Sequence, residues 1–252
     1  MNPRLAFALE TVFQAGKLTL GYFQTGLEVI VKEDDTPVTI ADRNAERLIR
    51  EAIAKKFPGE TILGEEEGAT GSGTTRWVID PIDGTKSFIA GVPLYANLLS
   101  YEVEGEPTIG ICYLPALDQM VYATKSEGAF CNGRPISVSK NATLEGAKLS
   151  CGGHATMVSK GRMPAFLKLA EKALATRTWC DAYGHALVAM GRIDAMVDPS
   201  LHRWDISPMA LIVKEAGGKS TDFAGTDQIS DEAISSNGLL HAQLIHAFQS
   251  NT

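Results

Sequence analysis

Apolar residues near the start of the chain recur every three or four positions, a spacing typical of a helix that is buried on one side. The pattern at Leu5, Leu9, Val12 and Phe13 predicts a first helix over residues 3–23. Polar residues at Glu10 and other positions interrupt this segment, so it is interpreted as an amphipathic helix and not as a signal peptide.

A second apolar stripe with the same period follows Thr39 and predicts a second helix, which Pro58 closes. Its members are Ala45, Leu48, Ile49, Ala52 and Ile53. The spacing Thr39-x-x-Asp42 resembles a capping box, in which two side chains satisfy free backbone N–H groups where a helix begins.

Short apolar runs take over after the second helix. Residues 77–79 form a β-prone run that ends at Asp80 and Pro81, and similar segments follow near 95–103, 108–114 and 119–124. Turn signals separate these segments, among them the residues Glu-Gly-Glu-Pro at 104–107 and Asn-Gly at 132–133. Consecutive strands joined by short turns predict an antiparallel sheet in the first half of the chain.

The pattern changes after about residue 145. Strand-like pieces near 147–151, 193–197 and 219–223 alternate with helical pieces near 163–175, 183–190 and 206–216. This alternation is typical of α/β structure. We therefore expect an α+β half over residues 1–145 and an α/β half over residues 146–252, joined in one continuous globular unit because no linker-like segment separates them.

Charge, hydropathy and cysteine content limit the classes of partner and the cellular compartment that are expected. The net charge is −7 and no long basic run occurs, which argues against a nucleic-acid partner. No apolar stretch approaches the length needed to span a bilayer, so no membrane partner is expected. The cysteines show no C-x-x-C pair and no zinc-like spacing, which predicts free thiols in a cytoplasmic protein. They are Cys112, Cys131, Cys151 and Cys180.

Four acidic positions carry the candidate chemistry: Glu65, Asp80, Asp83 and Asp205. Asp80 and Asp83 come at the end of a buried strand, and the carbonyl of Ile82 lies between them. Magnesium prefers oxygen ligands in octahedral geometry, and such a turn offers three oxygens to one or two ions. An uncompensated pair of carboxylates at the end of a buried strand is costly, which favours a metal site.

The next residues suit an anion. Gly84 allows the backbone to approach a ligand closely, and a helix that begins at Thr85 would point free N–H groups at a phosphate. Metal ligands and phosphate donors within eight residues of each other are what phosphoryl transfer requires. Taken one at a time, each acidic motif also has an ordinary structural explanation: an Asp-Pro turn, a solvated loop at residues 65–67, and a helix cap at Asp205 before Pro208.

The chain resembles the inositol monophosphatase-like phosphatases. The motifs that carry the resemblance are Gly-Glu-Glu at 64–66, the nine residues 77–85 (Trp-Val-Ile-Asp-Pro-Ile-Asp-Gly-Thr), Asn-Gly at 132–133, Trp-Asp at 204–205 and residues 213–218. The resemblance covers residues 32–238 and implies a layered αβαβα sandwich with an antiparallel sheet in the first half. It further implies a Mg²⁺-dependent phosphomonoesterase that acts on a small phosphate ester as a homodimer.

The resemblance also assigns roles to residues of this sequence. Glu65, Asp80 and the Ile82 carbonyl would bind one Mg²⁺ ion, and Asp80, Asp83 and Asp205 a second; a third, weaker ion would also use Glu65. The phosphate would be held by Asp83, Gly84 and Thr85, and the attacking water would be oriented and activated by Asp42 and Thr85, with Glu65 as a further catalytic residue.

Three segments resemble the histidinol-phosphate phosphatase branch of the family, which would place the chain in histidine biosynthesis. They are residues 86–93, residues 179–184 and residues 196–199, and the departures from the branch pattern are Cys180 and Ala182. Asp181 and Asp198 would then face the cationic end of the substrate, unless they have only ordinary backbone partners. Arg203 is either a further substrate contact or an exposed surface arginine.

Other functions remain open within this framework. Inositol-1-phosphate hydrolysis is the nearest alternative. A 3′-nucleotidase or a fructose-bisphosphatase is less favoured, since no additional basic or aromatic cluster is evident for a second phosphate or a base. A non-catalytic metal or phosphate sensor is disfavoured because every ligand of the motif is present.

Overall fold

A computed structural model describes residues 2–32, 36–179 and 181–250. Within these ranges the helices are α1 (Pro3–Tyr22), α2 (Ile40–Lys56), α3 (Thr85–Ile89), α4 (His154–Ser159), α5 (Met163–Ala170), α6 (Asp181–Ala189), α7 (Arg203–Glu215) and α8 (His241–Gln249). Single 3₁₀ turns lie at Pro115–Leu117 and Leu144–Gly146. No helix in the described part of the chain is both long enough and apolar enough to cross a lipid bilayer.

The strands form one small sheet and two larger ones. The small sheet pairs β1 (Ile30–Val31) with β2 (Pro37–Val38). The next eight strands are β3 (Thr61–Gly64), β4 (Gly68–Thr70), β5 (Arg76–Asp83), β6 (Ala96–Val103), β7 (Glu106–Leu114), β8 (Gln119–Thr124), β9 (Gly128–Cys131) and β10 (Arg134–Pro135). The last five are β11 (Lys148–Cys151), β12 (Ala175–Arg177), β13 (Ala195–Asp198), β14 (Lys219–Thr221) and β15 (Ala233–Ser236).

The first large sheet has the order β10-β9-β8-β7-β6-β5-β3-β4, and the second has the order β12-β11-β13-β15-β14. The first sheet is antiparallel, as predicted, except that β3 and β5 are parallel. The second sheet is mixed: β11 is parallel to both of its neighbours, and β15 is antiparallel to both of its own. The two halves of the chain therefore differ in sheet type.

The helices and sheets alternate in five layers, which confirms the αβαβα sandwich. Helices α1 and α2 cover the outer face of the first sheet, where Trp77, Ile79 and Leu99 pack. Helices α6 and α7 fill the space between the two sheets together with residues such as Leu98. Helices α4, α5 and α8 cover the far face of the second sheet. Because side chains alternate along β6, Leu98 and Leu99 contribute to different layers.

The start of α2 confirms the predicted capping box. Thr39 accepts a hydrogen bond from the N–H of Ala41 at 3.1 Å, and Asp42 Oδ2 accepts one from the N–H of Thr39 at 2.8 Å. Helix α7 begins at Arg203, three residues before the predicted start. Asp205 therefore lies in the first turn, where its Oδ2 accepts the N–H of His202 at 2.7 Å.

His185 of α6 is a buried histidine that makes the stability depend on pH. Its side chain is 1% exposed, Nδ1 lies 2.8 Å from the Ser235 hydroxyl, and Nε2 has no partner among the described residues. Burial lowers the pKa of His185 to about 4. Because this folded value is below the ordinary value of about 6.5, the neutral ring stabilises the fold above pH ~6.5, and that stability is lost as the pH falls towards 4.

Because of His185, we expect the free energy of unfolding to be about 2 kcal/mol lower at pH 5 than at pH 7.5. The measurement is urea denaturation at both pH values. His185→Gln keeps a polar group beside Ser235 but cannot take up a proton in this range, so its stability should change less with pH. An unchanged pH dependence in the variant would show that other groups are responsible.

Candidate active site

The carboxyl end of β5 brings two carboxylates together. Asp80 pairs with Leu98 and Asp83 with Ala96, so β5 contains one more residue than β6 in this stretch and forms a bulge. Pro81 lies in this bulge, where the lack of an N–H costs no ladder hydrogen bond. Asp80 and Asp83 are 2% and 6% exposed, and the bulge lets both be directed to the same place.

Asp205 completes the cluster from the second half of the chain. Carboxylate oxygens of Asp80, Asp83 and Asp205 all lie within 4.8 Å of one another. The N–H of Ala182, at the start of α6, donates to Asp83 Oδ2 at 2.8 Å. Asp80 Oδ1 is buried and accepts no hydrogen bond within the described part of the chain. Of the four carboxylates that the sequence analysis expected to converge, the structure thus brings three into one cluster.

These carboxylates are poorly solvated and repel one another. Burial, followed by the charges of Glu65 and Asp83, raises the pKa of Asp80 well above its usual range. Burial, followed by the charge of Asp181, does the same for Asp83, and burial raises the pKa of Asp205. A cluster of oxygen donors with excess negative charge and one unsatisfied buried oxygen fits a hard divalent cation such as Mg²⁺.

Glu65 lies beside this cluster, just after β3. Its N–H donates to the carbonyl of Ile79 at 3.2 Å, which holds it next to the end of β5. Its Oε1 lies 3.0 Å from Nζ of Lys32, and the same ammonium lies 2.7 Å from Glu66 Oε1. Sequence reasoning did not find Lys32, because a single lysine after a short strand has no motif that would distinguish it.

Thr85 and Asp42 meet as the resemblance implies. The Thr85 hydroxyl lies 3.0 Å from the carbonyl oxygen of Ile82 and 3.4 Å from Asp42 Oδ1. The other Asp42 oxygen is occupied by the Thr39 N–H and hydroxyl, so Oδ1 is the oxygen directed to Thr85. Burial raises the pKa of Asp42, which makes this carboxylate a better proton acceptor.

Gly84 is required by the geometry of the turn into α3. Its φ of 76° lies in the left-handed region, and a Cβ there would lie 3.0 Å from Asp181 Oδ2 and 3.4 Å from the Leu94 carbonyl. A larger residue would therefore be strained and would crowd the carboxylate of Asp181. The turn, the carboxylate cluster and Asp181 form one compact site.

A cleft of about 350 Å³ is lined by the three clustered carboxylates, by Glu65 and by the turn at Gly84 and Thr85. Its walls also include Lys86, Ser87, Thr156, Asp181, Asp198, Ser200, His202 and Trp204. A larger groove of about 800 Å³ beside α6 is lined by residues such as Arg134 and Arg192, and none of the described residues in its wall is acidic. The smaller cleft therefore contains the candidate chemistry.

The model of the inositol monophosphatase family matches residues 1–252. The chain belongs to this family. It is accordingly a phosphoric monoester hydrolase.

Individual relatives agree with the family assignment. The chain is 43% identical to a histidinol-phosphatase of Chlorobaculum parvum over 98% of this chain and 97% of the relative. It is 37% identical to a fructose-1,6-bisphosphatase/inositol-1-monophosphatase of Thermotoga maritima, with 96% and 94% covered. The solved structure of a Thermotoga maritima IMPase superposes with a TM-score of 0.91 at 35% identity, covering 98% of this chain and 97% of the other.

The phosphatase brings Asp181 and Asp198 to the same cleft. Asp181 is the first residue of α6 and has a φ of 59°, a left-handed conformation that aspartate tolerates better than most residues. Asp198 ends β13 and is 6% exposed; burial raises its pKa to about 8. Cys180, a departure from the branch pattern, lies outside the described residues.

Arg203 does not reach the cleft, which corrects the expectation of a substrate contact. Its Nε lies 2.9 and 3.1 Å from the two carboxylate oxygens of Glu102, and its guanidinium also donates to the carbonyl of Gly105. Residues two apart on a helix differ in direction by about 200°. Since Asp205 points into the cleft, Arg203 must point away from it.

Proposed function

We propose that this phosphatase is a magnesium-dependent enzyme that hydrolyses histidinol phosphate to histidinol, and hence acts in histidine biosynthesis. The observation that carries the catalytic part is the convergence of Asp80, Asp83 and Asp205 within 4.8 Å, beside the Thr85–Asp42 pair. The substrate part rests on the two further carboxylates, Asp181 and Asp198, in the wall of the same cleft.

The residues that would hold the ions are those of the cluster and its neighbours. Asp80, the Ile82 carbonyl and Glu65 would hold one Mg²⁺, and Asp83 and Asp205 would join Asp80 at a second; Glu65 also suits a third. When bound, Mg²⁺ neutralises these carboxylates, attracts the phosphate oxygens and makes a nearby water more acidic.

The chain itself would bind the phosphate and move one proton. The N–H groups of Gly84 and Thr85 begin α3 and are suited to phosphate oxygens. The Thr85 hydroxyl can pass its hydrogen to Asp42 Oδ1 and accept one from the attacking water. Asp42 is suited to this task because burial disfavours its charged form.

The cleft wall suits a cationic alcohol as leaving group. Asp181 contributes a carboxylate, and Asp198 contributes a second negative charge only when it is ionised. Trp204 with the stacked ring of His202 adds an aromatic edge, with ring centroids 4.8 Å apart. Histidinol phosphate has an ammonium group for the carboxylates and an imidazole for the aromatic edge. The name of the Chlorobaculum parvum relative supports the same substrate.

Inositol-1-phosphate is the second candidate, because Asp198 favours it in one respect. With a pKa raised to about 8 by burial, this carboxyl is largely protonated at neutral pH and can donate to a neutral hydroxyl. The name of the Thermotoga maritima relative also includes inositol-1-monophosphatase.

Phosphate release from histidinol phosphate and from inositol-1-phosphate, measured in parallel with Mg²⁺, separates the two candidates. Binding of an ester without release of phosphate would favour a non-catalytic sensor.

Asp181→Asn should distinguish the substrates most sharply. We expect kcat/KM for histidinol phosphate to fall about 10- to 100-fold, since one charge-assisted hydrogen bond is lost. Hydrolysis of inositol-1-phosphate should change by less than about 3-fold. Asparagine tolerates the left-handed backbone at this position, so the fold should persist.

Asp227→Asn is the matched control, because this side chain is 77% exposed and pairs with Lys214. Its kinetics should be unchanged with both esters. Equal losses on both substrates in Asp181→Asn would contradict the proposed recognition of a cation.

We also propose two properties of the whole molecule. The phosphatase is proposed to be a cytoplasmic homodimer, whose mass light scattering would report. Residues 1–145 and residues 146–252 are proposed to be two halves of one continuous unit. The test is thermal or urea denaturation, in which the whole chain should unfold in a single transition.

A further inference from the structure

A completely buried carboxylate, Glu102, lies on the face of β6 that meets the central helices. On the side of the sheet, Arg76 of β5 donates to Oε2 from Nε at 3.0 Å. From α7, Arg203 donates to both oxygens, and Ser207 donates to Oε1 at 2.7 Å. Glu102 therefore joins the first sheet to the first two turns of α7.

Further contacts strengthen this connection. The hydroxyls of Ser100 and Ser207, both completely buried, lie 2.8 Å apart. Arg203 also donates to the Gly105 carbonyl in the turn after β6. A buried carboxylate is stable only when it is paired and hydrogen-bonded, so this arrangement resists any movement of α7 away from the sheet.

Asp205 lies between the two anchored residues of α7. Arg203 and Ser207 are four positions apart and share one face of the helix, whereas Asp205 points about 200° away from each, towards Asp80 and Asp83. Without a cation the three carboxylates repel one another, and this repulsion pushes α7 away from the end of β5. An anchor on the opposite face of α7 opposes that force.

We propose that Glu102 is a positioning residue, which acts through Arg203 and Ser207 to hold Asp205 at the metal-binding cluster. The inference rests on the proposed function, since it assumes that Asp80, Asp83 and Asp205 bind a divalent cation. It gives Arg203 a role in metal affinity in place of substrate contact.

Two arginine variants provide a matched test. Arg203→Met and Arg76→Met each remove one cation from the same carboxylate, but only the first removes a link between Glu102 and α7. We expect Mg²⁺ binding to the substrate-free protein, measured by calorimetry, to weaken about 10-fold in Arg203→Met, as is usual when a partner that orients a metal ligand is lost. In Arg76→Met it should stay within about 2-fold of the unaltered protein.

Ser207→Ala provides the second measurement and decides alone if Arg203→Met does not fold. It removes the hydroxyl that bonds Glu102 and Ser100 and should weaken Mg²⁺ binding about 3-fold or more. Equal Mg²⁺ affinities in Arg203→Met and Arg76→Met, or an unaltered affinity in Ser207→Ala, overturn the inference. The inference is also overturned if Arg203→Met raises KM for the ester while the Mg²⁺ affinity is unchanged. That result would indicate that Arg203 contacts the substrate. If the unaltered protein binds no Mg²⁺, the proposed function falls as well.

Discussion

Replacing Asp83 by asparagine is expected to abolish turnover while it raises the stability of the ion-free protein. Asp83 is buried beside Asp80 and Asp205, and burial and neighbouring charges raise its pKa well above the usual range, so its charge destabilises the fold when no cation is bound. Asparagine has the same shape and can still accept the N–H of Ala182, but it removes the charge. Activity should fall about 1,000-fold or more, because even a partner that merely orients a metal ligand is worth 10- to 100-fold.

The measurements are phosphate release with Mg²⁺ and thermal unfolding with and without Mg²⁺. Without the ion, Asp83→Asn should unfold a few degrees above the unaltered protein, since 1 kcal/mol corresponds to about 2–4 °C for a chain of this size. Saturating Mg²⁺ should stabilise the unaltered protein by about 2–3 kcal/mol at 100 times Kd, and the variant much less. Near-full activity in the variant would argue strongly against the metal site.

Asp222→Asn is the contrasting control. Asp222 lies after β14 and accepts hydrogen bonds from the N–H and hydroxyl of Thr226 at 2.7 and 2.5 Å. Although burial opposes it, these bonds and those from nearby backbone N–H groups lower the pKa of Asp222. Loss of this charge should therefore reduce stability slightly and leave activity unchanged, the opposite of both effects at Asp83.

Thr85→Ala is expected to lower kcat about 100- to 1,000-fold while Mg²⁺ binding is retained. The Thr85 hydroxyl is the group that lies between the Ile82 carbonyl and Asp42 Oδ1, at 3.0 and 3.4 Å. Without it, Asp42 has no direct route to the attacking water, and general acid–base catalysis of this kind contributes about 10²–10⁴-fold. The backbone N–H of residue 85 remains, so phosphate binding should change little.

The conservative variant Thr85→Ser tests whether the hydroxyl itself is responsible. Serine restores the hydroxyl and should recover most of the lost kcat, with KM close to that of the unaltered protein. Mg²⁺ affinity measured without substrate should be similar in all three proteins. A loss of Mg²⁺ binding in Thr85→Ala, or no recovery with serine, would mean that Thr85 acts by shaping the turn and not by moving a proton.

Local patterns were sufficient for the first two helices, for the strand at residues 77–79 and for part of the candidate site. The apolar periods predicted α1 and α2 to within a few residues, and Thr39-x-x-Asp42 predicted the cap that now directs Asp42 Oδ1 to Thr85. The pattern of residues 77–85 predicted a strand that ends in two close carboxylates and is followed by a glycine turn, because these features depend only on neighbours within nine positions. That the turn binds an anion stays a prediction.

Contacts between distant segments could not be derived from such patterns. No spacing rule predicts that Lys32 pairs with Glu65, or that Arg203 pairs with Glu102 across about 100 positions. The resemblance placed Asp205 in the site, but the direction of Arg203 depended on where α7 begins. Helix α7 starts three residues earlier than predicted, so Arg203 lies within the helix and on the face opposite to Asp205.

The sequence by itself thus determined the residue types at the candidate site, with carboxylates followed by a glycine turn, and the period of the first two helices, since these are properties of short segments. Only the tertiary structure decided which charges are compensated. Glu102 is buried with partners from two elements, whereas one carboxylate oxygen of Asp80 has no partner among the residues that the structure describes. The cost of burying a charge depends on atoms that packing brings within a few ångströms, and that packing is a property of the whole fold.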